Sequence, residues 1–375
     1  MLIFGMGYAF NLLCLRHVDV TLKVQIIRAG RESMAQRVRI ADIAEELGVS
    51  SATVSNVIHG KTKKISDATV KRVQELLEER QYIPSMAGIL LSQNDSRIVG
   101  VVINDHIKYE GKVLEDAFVA SALNALLFEL ERNDYFMMVK ATADWNEIVR
   151  LASMWNMDGM VLIGFCDAEY EKLREKMHIP FVVYDGYFEN NERICNLTID
   201  NFDGGRQVGD YLYRMGHRRV LCISDNYVCV DKERIDGCGA GLMEGTIDFL
   251  QVPMQKEERQ RFYKANIQMI LRHTAAFAVS DVYAVELMHF LQEQGIGVPE
   301  DISVIGFDNI RLCENSYPRL TTVGQDASKR AYAAVQALQN LKKGTCEMAA
   351  QILPVRLVVR DSVKRIGSTA GDKVT

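Results

Sequence analysis

The sequence predicts a small all-α unit followed by a larger α/β unit of two doubly wound parallel-sheet subdomains. Two observations predict it. Residues 40–57, IADIAEELGVSSATVSNV, place apolar side chains at helical spacing on both sides of a Gly-Val-Ser turn. From Arg97 onward, short apolar runs alternate with amphipathic stretches, the pattern of a parallel sheet covered by helices. At 375 residues the chain exceeds one ordinary core, which fits such a division.

Before the first unit, MLIFGMGYAFNLLCL is apolar, but it is too short to span a bilayer and lacks the basic start of a signal peptide. Residues 1–33 are therefore read as an extension, with translation expected to start at Met34. Residues 28–33, RAGRES, are types with purine-rich codons, as a ribosome-binding site read through as protein would be.

In the first unit, Ile40, Ile43, Ala44 and Leu47 form one apolar face, and Gly48 supplies the positive φ that ends a helix. Ser50 starts the next helix as its N-cap. Val54 and Val57 continue the apolar face there, while Ser51, Ala52, Thr53, Ser55 and Asn56 are left outward. Small and amide side chains on a short helix suit close approach to phosphates and base edges. An ordinary helical hairpin has the same periodicity. Ser66 caps a third helix whose face is Val70, Val73, Leu76 and Leu77, ending near Arg80.

With Tyr82-Ile83-Pro84 following, residues 38–92 resemble the headpiece of the lactose-repressor (LacI/GalR) family. The shared pattern is a helix-turn-helix ending in ATVSNVI, a loop, a third helix, Y-x-P and a hinge. The resemblance implies a headpiece at 34–83 and a hinge at 84–96. It implies DNA contacts from Ser50, Ser51, Ala52, Thr53, Ser55, Asn56, His59 and Lys61, with Leu91 as a minor-groove wedge. Residues 34–92 carry eight Lys/Arg against seven Asp/Glu in a chain of net charge −5, so affinity must come from placement. Arg37, Arg39, Lys61, Lys63 and Lys64 are the candidates for phosphate, although 61–64 also reads as a solvated loop. The hinge SMAGILL departs from the family's N-A-V-A-R-S-L: it lacks the basic residue, and Gly88 costs about 1 kcal/mol of helix propensity relative to Ala.

In the larger unit, Ile98–Ile103, Phe136–Val139, Met160–Ile163 and Phe181–Tyr184 read as strands, with helices at 113–132, 146–155 and 168–176 between them. A second series follows: helix 203–215, strand 219–224, helix 234–244, strand 275–279, helix 282–294 and strand 302–306. Ligands of such folds sit at the carboxyl ends of the strands. Three stretches are similar to landmarks of the same family's effector domain: Asp200–Gly205 with Gly216-His217-Arg218-Arg219, Pro299–Asp308 in PEDISVIGFD, and Pro318–Val323 in PRLTTV. They imply a periplasmic-binding-protein-like fold of type I over 97–362. Its N-subdomain is expected at about 97–196 and 326–352, and its C-subdomain at about 197–325 and 353–362, with a tail at 363–375.

Carried over position by position, Asp185, Arg234, Asp308 and Gln325 fall where the family contacts its effector, and Ser280 where many relatives place an amide. Carboxylates and a guanidinium at strand ends suit a polyol, because each makes paired hydrogen bonds to adjacent hydroxyls. Loop capping or an interdomain salt bridge is the plainer role for each. Tyr184, Phe165 and Tyr187 are candidates to stack on a sugar ring, or to fill the core. The stretch from Arg234 to Ser280 is shorter than the family's, which implies an altered cleft wall.

Nothing in the sequence points to catalysis: there is no G-x-S-x-G, P-loop, H-E-x-x-H or G-x-G-x-x-G after the first strand. The glycine-dense GCGAG at 237–241 lies in a predicted helix and is not read as a phosphate cradle. Eight scattered cysteines include no C-x-x-C, and Cys222 reads as a small core residue in a reducing cytoplasm. The expected protein is a cytoplasmic, homodimeric DNA-binding regulator, a repressor on a double-stranded operator, controlled by a small sugar-like effector. No cofactor, metal or membrane is expected. The tail lacks a leucine heptad, so no coiled-coil tetramer is expected. A protein corepressor in place of the effector, or a solute-binding protein without regulatory role, are the alternatives.

Overall fold

The computed structural model describes residues 38–82, 96–165, 170–186, 194–345 and 351–366. The extension 1–33, Arg37, hinge residues 84–95 with Leu91, Tyr187 and the tail from 367 lie outside these. The chain divides into two compact units, 1–92 and 93–375.

Among the described residues the first unit is three helices: α1 (Ile40–Leu47), α2 (Ser51–Ile58) and α3 (Asp67–Glu79). Asp42 fixes the start of α1: it accepts from the Arg39 N–H at Oδ2, 2.8 Å, and from the Arg39 guanidinium at Oδ1, 3.1 Å. Gly48 ends α1 at φ 65°, a left-handed conformation that side chains disfavour. Ser50 Oγ accepts from Thr53 N at 3.1 Å and opens α2, and Ser66 does the same with Thr69 N at 3.3 Å for α3. Ile43, Ala44, Val54, Val57, Val73 and Leu76 are the buried core. Arg80 ties the end of α3 to Glu46 of α1 at 2.8 Å.

In the second unit, β1 (Ile98–Ile103), β2 (Phe136–Ala141), β3 (Gly159–Ile163), β4 (Phe181–Tyr184), β5 (Ile194–Ile199) and β11 (Gln351–Leu353) form one sheet. Its order is β11-β5-β4-β3-β1-β2, parallel throughout. The other sheet holds β6 (Arg219–Ser224), β7 (Thr246–Gln251), β8 (Ala275–Ala278), β9 (Ser303–Asp308), β10 (Thr321–Gly324) and β12 (Arg356–Val358). Its order is β12-β10-β9-β8-β6-β7, with only β12 antiparallel. On the first sheet, α4 (Ala117–Arg132) and α12 (Ala327–Lys343) cover one face, and α5 (Trp145–Met154) and α6 (Tyr170–Lys176) the other. On the second, α7 (Asn201–Arg214) and α8 (Cys229–Gly241) cover one face, opposite α9 (Lys256–Ile270) and α10 (Asp281–Glu293). A short α11 (Leu312–Asn315) follows β9. The chain passes between sheets after β5, after β10 and between β11 and β12.

Several boundaries differ from the sequence expectation. The helix expected over 113–132 starts at Ala117, because Asp116 Oδ1 accepts from Val119 N at 3.0 Å and 113–115 forms a separate 3₁₀ turn. The helix expected over 234–244 runs from Cys229 to Gly241. β5, β7 and α9 were not anticipated. In α9, KEERQRFYKANIQMI, only Arg259, Tyr263 and Ile270 are buried, too thin an apolar stripe to register as a period.

The glycines of α7 and α8 permit backbone-to-backbone packing. A Cβ added at Gly205 would run into the Arg234 carbonyl, and one at Gly209 into that of Cys238. From the other side, Gly237 lies against the Phe202 carbonyl and Gly241 against that of Arg206. The glycine-dense stretch is therefore a helix-packing surface. Gly209→Ala is expected to destabilise the chain by at least about 3 kcal/mol in urea unfolding, because rigid backbone must move. Gly239→Ala meets only Ile247 Cδ1 at 3.5 Å. It should be neutral or stabilising by up to about 1 kcal/mol through helix propensity.

Candidate functional site

The first candidate surface is α2. Ser51, Ala52 and Asn56 are exposed on it, as are Ser50 before it and Lys61 after it. Thr53, Ser55 and His59 are half-buried. Ser50 Oγ and Thr53 Oγ1 lie 2.9 Å apart, so these two hydroxyls are held together at the helix start. Arg39, Lys63 and Lys64 are exposed, with Arg39 engaged by Asp42.

The second is the cleft between the two sheets of the larger unit. β4 ends at Tyr184, with Asp185 next, and β9 ends in Phe307-Asp308. Both aspartates have left-handed backbones, φ 59° and 118°. Such strain is of order 1–3 kcal/mol per residue and clusters where a site over-determines the chain. Each carboxyl faces a guanidinium stacked on the aromatic that precedes it. Arg330 lies 4.1 Å from the Tyr184 ring centroid and 2.7 Å from Asp185 Oδ1. Arg234 lies 3.8 Å from the Phe307 centroid and 3.7 Å from Asp308 Oδ1. Each arginine also donates to the carbonyl of a neighbouring strand, Arg330 to Leu197 at 3.0 Å and Arg234 to Val279 at 2.7 Å.

Gln325, on the second passage between sheets, joins the two pairs: its Nε2 donates to Asp308 Oδ1 at 2.8 Å and its Oε1 accepts from Arg330 at 3.1 Å. Asn201, on the first passage, closes the ring. Its Oδ1 accepts from Arg234 Nε at 2.9 Å and its Nδ2 reaches Thr198 Oγ1 at 3.5 Å. Thr198 in turn donates to Asp185 Oδ1 at 2.9 Å. Beside the ring lies a cleft of about 480 Å³, lined among others by Tyr184, Asp308, Gln325, Arg330, Phe118 and Ser121.

Of the residues singled out from the sequence, Asp185, Arg234, Asp308 and Gln325 are thus brought into one network. Asp308 and Gln325 line the cleft, whereas Arg234 and Asp185 act from behind it. Ser280 stands apart: its Oγ accepts from Tyr283 N at 3.5 Å as the N-cap of α10. Phe165 packs into the core against Trp145, ring centroids 5.1 Å apart, while Tyr184 lines the cleft. Sequence reasoning missed Arg330, Thr198 and Asn201. Asn201 lay within the quoted Asp200–Gly205 motif, whereas Arg330 had no signal but its place after Gln325.

Burial pushes the Asp308 carboxyl up to about 8, against the pull of Arg234 and with help from Asp281. Asp281, fully buried, is likewise raised by burial, to about 6. It accepts from Thr322 Oγ1 at 2.6 Å and Ile310 N at 2.9 Å, and so pins the turn after β9. Among the described residues no group of His, Cys, Asp and Glu forms a metal site, and no helix is long and apolar enough to cross a membrane.

Residues 39–85 match the family model for bacterial regulatory proteins, lacI family, and 210–363 match that for a periplasmic binding protein-like domain. The HTH-type transcriptional repressor PurR of Vibrio atlanticus (strain LGP32) is 30% identical over 345 residues, covering 87% of this chain and 99% of that protein. The HTH-type transcriptional repressor CytR of Escherichia coli (strain K12) is 26% identical over 336 residues, covering 87% and 96%. Among solved structures, the lac repressor dimer bound to operator and the anti-inducer ONPF matches with a TM-score of 0.73 at 21% identity, over 88% of this chain and 100% of that one. A CelR–cellobiose complex matches with a TM-score of 0.63 at 21% identity, over 87% and 100%. These structures share the fold, and the sequence relatives are transcriptional repressors rather than enzymes.

The two raised carboxyls set a pH dependence. Each binds its proton more tightly in the folded chain, so its contribution is complete below the unfolded value near 4 and is lost as pH rises through about 6 for Asp281 and about 8 for Asp308. Thermal melts should therefore show stability falling from about pH 4 to about pH 8, the part above about pH 6 belonging to Asp308. Asp308→Asn should flatten the upper part of that decline. A melting temperature that rises over the same interval would contradict the assignment.

Proposed function

Because the chain belongs to the lacI family of bacterial regulatory proteins, we propose that it is a sequence-specific transcriptional repressor controlled by a small, hydroxyl-rich effector of the sugar type. It acts on this reading as a cytoplasmic homodimer on a two-fold double-stranded operator, since one small headpiece offers few contacts. The observation that carries the effector reading is the ring of polar side chains beside the cleft. It draws on both sheets and on two of the passages between them. A ligand bonded to it therefore has a different affinity for open and closed arrangements, which is what a population shift requires. Planar guanidinium donors beside carboxyl acceptors suit adjacent hydroxyls. The cleft, at about 480 Å³, has the size of a small-molecule site.

On the DNA side, the exposed Ser51, Ala52 and Asn56 are assigned base readout. Ser50, Thr53, Ser55, His59 and Lys61 are assigned to phosphate and flanking contacts. Leu91 is retained as the minor-groove wedge; bend measurements on Leu91→Ala DNA complexes test that role.

Asn56→Ala should lower operator affinity by about 1–3 kcal/mol, concentrated at one operator position, in gel-shift titrations. Equal loss on operator and random DNA would make Asn56 a phosphate contact instead. Isothermal titration against a panel of sugars, nucleosides and related metabolites should find one binder that Asp185→Asn weakens at least tenfold, about 1.4 kcal/mol. Ser280→Ala should instead lower stability by about 1 kcal/mol and leave affinity unchanged. Silence across the panel, with binding to a protein partner, would favour a corepressor.

A further inference from the structure

The connection from β1 to α4, residues 104–116, belongs to the half of the unit built on the first sheet, yet it engages the other half. Glu110 Oε1 accepts a hydrogen bond from Lys256 N at 3.1 Å. Lys256 is the first residue of α9, and the N-cap of that helix, Gln255, makes no capping hydrogen bond of its own. A helix start leaves backbone N–H groups without partners and favours negative charge nearby. Glu110 supplies both an acceptor and a charge, from across the cleft.

Both sides of this contact are held in place. Glu110 has φ 51° and ends the 3₁₀ turn Ile107–Tyr109, its N–H donating to the Ile107 carbonyl. On the far side, the start of α9 is anchored. Arg259, 6% exposed, pairs with Glu286 at 2.7 Å and donates to the carbonyls of Pro253 and Met254. The rest of the connection leans the same way. Ala117, just beyond it, packs against the core of the second-sheet half. Tyr109, Asp225, Asp231 and Asp116 favour the charge on Lys108, and Asp225 and Asp231 belong to that half.

We propose that Glu110 is a latch: it caps α9 across the cleft, stabilises the closed arrangement by protein contacts alone, and sets the rate at which the cleft opens. This rests on the reading that the cleft admits an effector, because opening then governs effector entry and release. The cap itself does not depend on that reading.

Hydrogen exchange and small-angle scattering on the full chain, with no ligand added, test the latch directly. Glu110→Ala should speed amide exchange at 256–259 about fivefold or more and enlarge the radius of gyration. Glu110→Gln, which keeps an acceptor, should fall between. Glu115→Ala, on the same exposed connection but paired with Lys112, should change neither measurement. Unchanged exchange at 256–259 in Glu110→Ala would overturn the proposal, and so would faster exchange at an unchanged radius, which makes the cap purely local. If the variant loosens α9 while no metabolite binds, the latch stands and the effector reading fails.

Discussion

A carboxyl at the end of a buried strand has to be hydrogen-bonded, paired or protonated, because taking an isolated charge out of water is prohibitive. The larger unit meets that constraint twice with the same device. Tyr184-Asp185 and Phe307-Asp308 each put an aromatic face and a carboxyl under one guanidinium, and each guanidinium is fixed by a neighbouring strand's carbonyl. The arginines come from different places: Arg330 lies on the helix that follows the passage from the second sheet to the first, and Arg234 lies on a helix of the second sheet. Satisfying the strand-end carboxyls therefore ties the relative placement of the two sheets to a polar ring beside the cleft.

Arg234 stands on α8, which packs backbone-to-backbone against α7. Four glycines, Gly205, Gly209, Gly237 and Gly241, remove the side chains that would hold the backbones apart. Interior glycines each disfavour a helix by about 1 kcal/mol. In the same helix pair the Arg234 guanidinium donates to Asn201, at the start of α7. Helix packing and the polar ring are thus one arrangement in this half.

The headpiece works under a different limit. Among the described residues its core is six buried side chains, too few for burial alone to define the helix ends. Gly48, Ser50 and Ser66 do that locally, by left-handed geometry and by side-chain acceptors three residues before the amide they cap. Its charge is nearly balanced, and Ser51, Ala52 and Asn56 are exposed on its second helix.

The sequence by itself determined whatever depends on near neighbours. That includes the three capped helices of the headpiece, the continuous apolar strands β1, β3 and β4, and the strand-end positions of Asp185 and Asp308. It also carried the family's landmarks, which placed Arg234 and Gln325 in one site with them. Local patterning fell short at α9, whose buried stripe is thin, and at β7, whose edge position leaves mixed burial. Only the tertiary structure decided that Ser280 caps a helix while Arg330, Thr198 and Asn201 complete the ring. Those partners come from separate elements, and their meeting depends on how strands order within each sheet and how closely two helices approach. A hydrogen bond needs its atoms within about 3 Å, and no local periodicity records that distance between residues far apart in the chain.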